Sequence, residues 1–103
     1  MPTPSRSPIT LDSTLRQMEG NVSAVVDGEV AIMSVEQGSY FTLNEVGGRI
    51  WVLLEQPRSL REVCETLFQE FDVEENECQS DVLELARELE TRNLVERVHE
   101  PGK

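Results

Sequence analysis

The chain holds little that could break or make a covalent bond. Cys64 and Cys78 are the only cysteines and His99 the only histidine. A structural zinc site asks for about four ligands at short, characteristic spacings. Neither cysteine belongs to a CxxC pair, and His99 is far in sequence from both. Cys–His and Ser–His–Asp chemistry needs an imidazole held beside its nucleophile, and His99 stands in a C-terminal segment prone to fray. No GxGxxG or GxxxxGK[ST] phosphate loop is present. The only lysine is Lys103, so no lysine inside the domain can serve as a base or Schiff-base amine. Twenty carboxylates remain, but most fall on polar helix faces or in first turns, the pattern of a solvated surface. The residues argue against an enzyme, and they imply neither metal nor cofactor.

Charge narrows the class further. Nine basic against twenty acidic residues leave a net charge of −11 in 103 residues. Nucleic-acid binding needs a basic face to neutralise phosphates, so that class is disfavoured, and there is no polybasic patch for a membrane surface. No stretch approaches a membrane span, and no signal-peptide core follows Met1. The expected setting is therefore cytoplasmic, with reduced thiols. Cys64 falls on an apolar helix stripe and is expected in the core.

The elements follow from periodicity and punctuation. Residues 1–8 hold three of the five prolines and read as a disordered arm. Ile9 to Leu11 is expected to add a short extended piece. From Asn21 to Leu43 the pattern is β: Val22 to Val26, an Asp27-Gly28 hairpin signal, Glu29 to Val35, a Gln37-Gly38 turn, then Ser39 to Leu43. Polar alternation is weak, so part of both sheet faces is expected to be covered. Asn44 can cap a helix reaching about Glu55, and Gly47-Gly48 in its first turns implies a close approach to the sheet or another helix. Ser59 and Glu62 form a capping box ahead of an amphipathic helix with Leu60, Val63, Cys64, Leu67, Phe68 and Phe71 on one stripe. A third helix from about Glu75 to Arg92 carries Cys78, Val82, Leu85, Ala86 and Leu89, with Asn93 as a left-handed terminator. Leu94, Val95 and Val98 form a short apolar return. The expected fold class is α+β: a three-stranded antiparallel sheet followed by three helices, winged-helix-like, spanning 9–98, with a tail at 99–103.

A meander leaves its outer strands open on one side, a hazard unless the edge is short, charged, covered or used. The strand Ser39 to Leu43 has no charge, proline or evident bulge. Such an edge can accept an extended peptide as a further strand. It can equally be covered by the protein's own first segment or by a second copy.

The run Tyr40-Phe41-Thr42-Leu43-Asn44-Glu45-Val46-Gly47-Gly48-Arg49-Ile50-Trp51 resembles the strand-to-helix signature of PqqD-like proteins, YFxLNxxGxxIW. Pro57 to Leu60, Phe71-Asp72-Val73 and Leu89 to Val95 resemble the family's later elements, so the likeness spans about 22–98. It implies a recognition domain for ribosomally made, post-translationally modified peptides, most like the stand-alone leader-binding protein of lasso-peptide pathways. The implied partners are the leader of a precursor peptide, a transglutaminase-like leader peptidase and a cyclase. The leader would pair with Ser39, Tyr40, Phe41, Thr42 and Leu43 and lie in a groove shared with the third helix. There Asp81, Val82, Leu83, Leu85 and Leu89 are the candidate contacts, Asp81 for a basic leader residue. Trp51 is expected in the core. The rival reading is a self-associating, winged-helix-like regulatory or assembly domain that dimerises through the same edge.

Overall fold

The computed structural model describes residues 8–98. The proposed arm, apart from Pro8, and the tail with His99 lie outside the described residues. In chain order the elements are β1 (Thr14–Gln17), β2 (Asn21–Val26), β3 (Glu29–Ser34), β4 (Ser39–Leu43), α1 (Glu45–Leu53), β5 (Arg58–Ser59), α2 (Leu60–Glu70), α3 (Glu75–Thr91) and β6 (Val95–Arg97).

The meander β2-β3-β4 forms as its turns dictate. Asp27 and Gly28 both take positive φ, 53° and 83°, the two-residue type I′ geometry that matches strand twist. Gly38 closes the second turn at φ 67°, its amide donating to the Ser34 carbonyl at 2.7 Å. β4 then passes directly into α1. Asn44, extended at φ −73° and ψ −172°, accepts the Gly47 amide on its side chain. Gly48 lies over the sheet: a Cβ there would sit 2.6 Å from Val30 Cγ2, so only glycine allows this helix to approach β3 so closely. The Ser59–Glu62 capping box starts α2, and Asn93 ends the α3 segment in the left-handed region at φ 61°.

The helices pack against one face of the meander only. Directly opposed residues share a face, so Ser23, Val25, Val30, Ile32, Ser34, Phe41 and Leu43 form the inner face, which the helices cover at β3 and β4 but not at Val25 of β2. Val22, Ala24, Val26, Ala31, Met33, Tyr40 and Thr42 form the outer. Val30, Ile32 and Leu43 are buried with Ile50, Trp51, Leu54, Leu67, Val82 and Leu89 in one core. The outer face is open, with Val22 54 %, Val26 58 % and Tyr40 70 % exposed. The expectation that both faces are partly covered is therefore corrected. β-Branched composition set the strand, but only the inner face found helices to cover it.

A second correction concerns the N-terminal segment. Ile9 to Leu11 is not a strand. Ile9 is buried as an anchor, and the strand begins at Thr14. β1 lies between β5 and β6 in a small antiparallel sheet, pairing Leu15 with Arg58 on one side and Arg97 on the other. Further main-chain bonds, Gln17 to the Leu54 carbonyl at 2.7 Å and Met18 to the Leu94 carbonyl at 2.9 Å, fix this segment away from β4. Leu15 is wholly buried beneath it. Across the helices, Arg49 on α1 grips Glu70 on α2 through two bonds of 2.7 Å.

Candidate functional site

The position of β4 decides which of its groups are free. The type I′ turn makes Val26 and Glu29 a hydrogen-bonded pair. Alternate residues then turn their main-chain groups to opposite sides, so Glu29, Ala31 and Met33 face β2. Val30, Ile32 and Ser34 face β4, where they oppose Leu43, Phe41 and Ser39. Tyr40 and Thr42 therefore direct their N–H and C=O groups away from β3. Among the described residues β3 is the only neighbour of β4 in the sheet, and no other main chain bonds to that edge. Of the first segment, the described part from Thr10 to Met18 is committed to β5, β6 and the α1–α2 connection; residues 1–7 lie outside the described residues.

Beside this edge runs a groove of about 630 Å³. One wall is Phe41, Thr42 and Leu43. Val46, Gly47 and Ile50 of α1, together with Leu67 of α2 and Val73, close its base. Cys78, Val82 and Leu85 of α3 form the opposite wall, and Glu77, Asp81, Glu84 and Glu88 line its mouth. The direction of α3 is fixed at one end by Arg92, whose guanidinium lies 4.4 Å from the Phe41 ring centroid and pairs with Glu88 at 3.1 Å. The Gln37 side chain donates to the Arg92 carbonyl at 3.1 Å. The C-terminal end of α3 is thus tied to the start of β4, and its earlier turns flank Leu43 and Asn44.

The signature around this site has a physical reading. Leu43 and Ile50 point into the core and also line the groove. Asn44 caps α1, and the absence of a side chain at Gly47 leaves room for that cap: a Cβ there would meet Asn44 Oδ1 at 3.3 Å and Leu43 Cβ at 3.3 Å. Trp51 is 2 % exposed, as a core residue should be.

Of the ten candidate residues, Phe41, Thr42, Leu43, Asp81, Val82 and Leu85 lie together on the groove. Ser39 and Tyr40 belong to the same edge but lie outside the groove lining. Leu89 is wholly buried in the core, and Leu83 packs half-buried against the core outside the groove. Not named from the sequence were the base contributed by α1 and α2 and the acids Glu77, Glu84 and Glu88. The acids were legible as a spacing of four, three and four residues with Asp81; the base depends on packing between distant helices.

Cys64 and Cys78 are free and buried. Burial pushes the Cys64 thiol from an ordinary 9.0 up to about 11, and burial raises Cys78 as well. Both are therefore neutral packing groups near neutral pH, and neither has the depressed pKa of a reactive thiolate. No group of three or more His, Cys, Asp or Glu side chains among the described residues could hold a metal ion. No described helix is long and apolar enough to cross a membrane.

Comparison with solved structures finds the same fold. A structure described as "TbiB1 in Complex with the TbiA(beta) Leader Peptide" is 30 % identical, covers 82 % of this chain and 99 % of its own, and superposes with a TM-score of 0.73. A second, "Lasso peptide synthetase B1 complexed with the leader peptide", is 22 % identical, covers 80 % and 96 %, and gives a TM-score of 0.70; it supports the fold. No curated protein matches the chain. The family model described as "Coenzyme PQQ synthesis protein D (PqqD)" matches residues 29–95, from the first residue of β3 to the first of β6. An open strand running into an Asn-capped, glycine-bearing helix over that span is the local expression of this relationship: the chain belongs to the PqqD family.

Proposed function

We propose that this protein binds the leader segment of a ribosomally made precursor peptide as an added strand on β4. It presents the attached core to modifying enzymes, a leader peptidase and a cyclase of the lasso-peptide type, and performs no catalysis itself. The observation that carries this reading is the unpaired edge of β4 beside an apolar-floored groove, in a chain whose 30 % identical relative is described in complex with a leader peptide.

The physics of capture follows from the two walls. Main-chain groups of Tyr40 and Thr42 supply sequence-independent hydrogen bonds, and the groove supplies selectivity for alternate side chains of the added strand. Phe41, Leu43, Val82 and Leu85 offer an apolar floor to those that point inward. Ser39 and Tyr40 extend the edge, while Leu83 and Leu89 act from outside the groove by holding α3 in place. A bound leader then keeps its core near whichever enzyme docks, at an effective concentration in the millimolar range for a short flexible tether.

Titration of the isotopically labelled protein with a synthetic leader peptide of the kind bound by its 30 % identical relative tests this. Amide shifts should concentrate at Ser39–Leu43 and along α3. Shifts elsewhere, or none at saturating peptide, refute it. Light scattering separates the rival: a stable dimer that buries β4 and binds no peptide favours an assembly domain.

A further inference from the structure

Every charged side chain on the groove is acidic: Glu77, Asp81, Glu84 and Glu88. At spacings of four, three and four residues they stack along one lip of α3. Arg92 answers Glu88 at 3.1 Å. No ion pair reaches Glu77, Asp81 or Glu84 among the described residues, where Arg16, Arg49, Arg61 and Arg97 pair with Glu96, Glu70, Asp12 and Glu90 instead. Like charges three and four residues apart repel one another on a helix. Three carboxylates in succession without an ion-pair partner stand where an added strand would lie between this lip and β4.

We infer that the groove selects cationic leaders. Resting on the leader-binding reading above, the inference adds the chemistry of the segment bound: alternate apolar side chains over Phe41, Leu43, Val82 and Leu85, with Lys or Arg beside them pairing to Asp81 and Glu84. The partner needs both features. Apolar residues alone leave the lip uncompensated, and cations alone leave the floor wet. The acidic lip also acts before contact, because a single-sign field along a groove accelerates encounter with an oppositely charged chain and weakens with salt. Glu88 contributes less than its neighbours, since Arg92 already neutralises it.

The test is a selection of random peptides, displayed on their own messenger RNA, against the full chain. Selected peptides are resynthesised, mapped by amide shifts and titrated by fluorescence anisotropy. The inference expects peptides that map to β4 to be enriched in Lys and Arg, with affinities that fall as salt rises. It expects the Asp81→Lys/Glu84→Lys variant to bind them about 10-fold more weakly, at about 3-fold for each of two exposed ion pairs. Selection on that variant should favour Asp and Glu instead. The isosteric Asp81→Asn/Glu84→Gln variant, checked by its melting temperature, gives the same direction without new charge should the reversed form fail to fold. Peptides that map to β4 yet are neutral, salt-insensitive and indifferent to both variants overturn the inference and leave leader binding intact. A selection in which nothing maps to β4 overturns both.

Discussion

Replacing Thr42 by proline separates the binding edge from the folding edge of one strand. The Thr42 amide faces away from β3, its side chain is exposed, and β4 is an edge strand. Proline is tolerated at an edge where the missing N–H would face solvent, and Phe41 before it is already extended, as the residue preceding a proline prefers. The folded protein should change in stability by no more than about 1 kcal/mol. Leader binding loses one main-chain hydrogen bond and leaves a peptide carbonyl without its donor. That costs about 1–3 kcal/mol, which is about 5- to 150-fold in Kd at 1.4 kcal/mol per tenfold. The prolyl ring also obstructs the incoming strand, so the upper part of that range is expected. Phe41→Pro is the control: its amide faces β3, and its ring lies under Arg92, so the same change there should destabilise the fold itself. Calorimetric titration with thermal melts on both variants decides the matter. A folded Thr42→Pro protein with unchanged affinity refutes strand addition at this edge, and a Thr42→Pro protein as unstable as Phe41→Pro refutes the assigned pairing.

Other expectations concern the fold that holds the groove. Gly48→Ala should destabilise the protein by about 1–3 kcal/mol in denaturant titration, because the new methyl meets Val30 Cγ2 at 2.6 Å; pairing it with Val30→Ala should cost less than the two changes summed. Ser59→Ala removes half of the capping box that starts α2 and should cost about 1 kcal/mol, lowering Tm by about 4–8 °C for a domain of this size. The Cys64 thiol titrates at about 11 rather than 9.0 because it is buried. The folded state therefore holds a proton that the unfolded state has already released, so stability should fall as pH rises between those values. Cys64→Ala should flatten that slope, and the native thiol should resist alkylation near pH 8 until denaturant is added.

What the sequence made legible was local. Asp27-Gly28, Gly38, the Asn44 cap and the Ser59–Glu62 box each declare themselves through residue types a few positions apart, and the meander and helices follow from them. β1 did not, because Thr14–Gln17 offers one apolar residue, Leu15, and both its partners lie more than forty residues away. Pairing of that kind is decided by tertiary closure, not by propensity. The exposed outer face failed for a related reason. Val22, Val26 and Met33 are good strand formers whichever side the helices take, and composition cannot tell a covered face from a bare one. At the site, the edge strand and the groove residues Asp81, Val82 and Leu85 were legible from pattern and resemblance. The division between Leu85 on the groove and Leu83 outside it depends on how α3 is rotated. The Arg92–Phe41 contact helps set that rotation, and it joins residues far apart in sequence.

Hydrogen exchange at the four consecutive amides Tyr40, Phe41, Thr42 and Leu43, followed by NMR with and without bound leader, tests the central claim most directly. Without peptide, Phe41 and Leu43 should exchange slowly and Tyr40 and Thr42 quickly; with peptide, Tyr40 and Thr42 should become protected while the other two barely change. Tyr40 and Thr42 already protected in the free protein, or still exchanging freely in the complex, would contradict a leader bound as the next strand of this sheet.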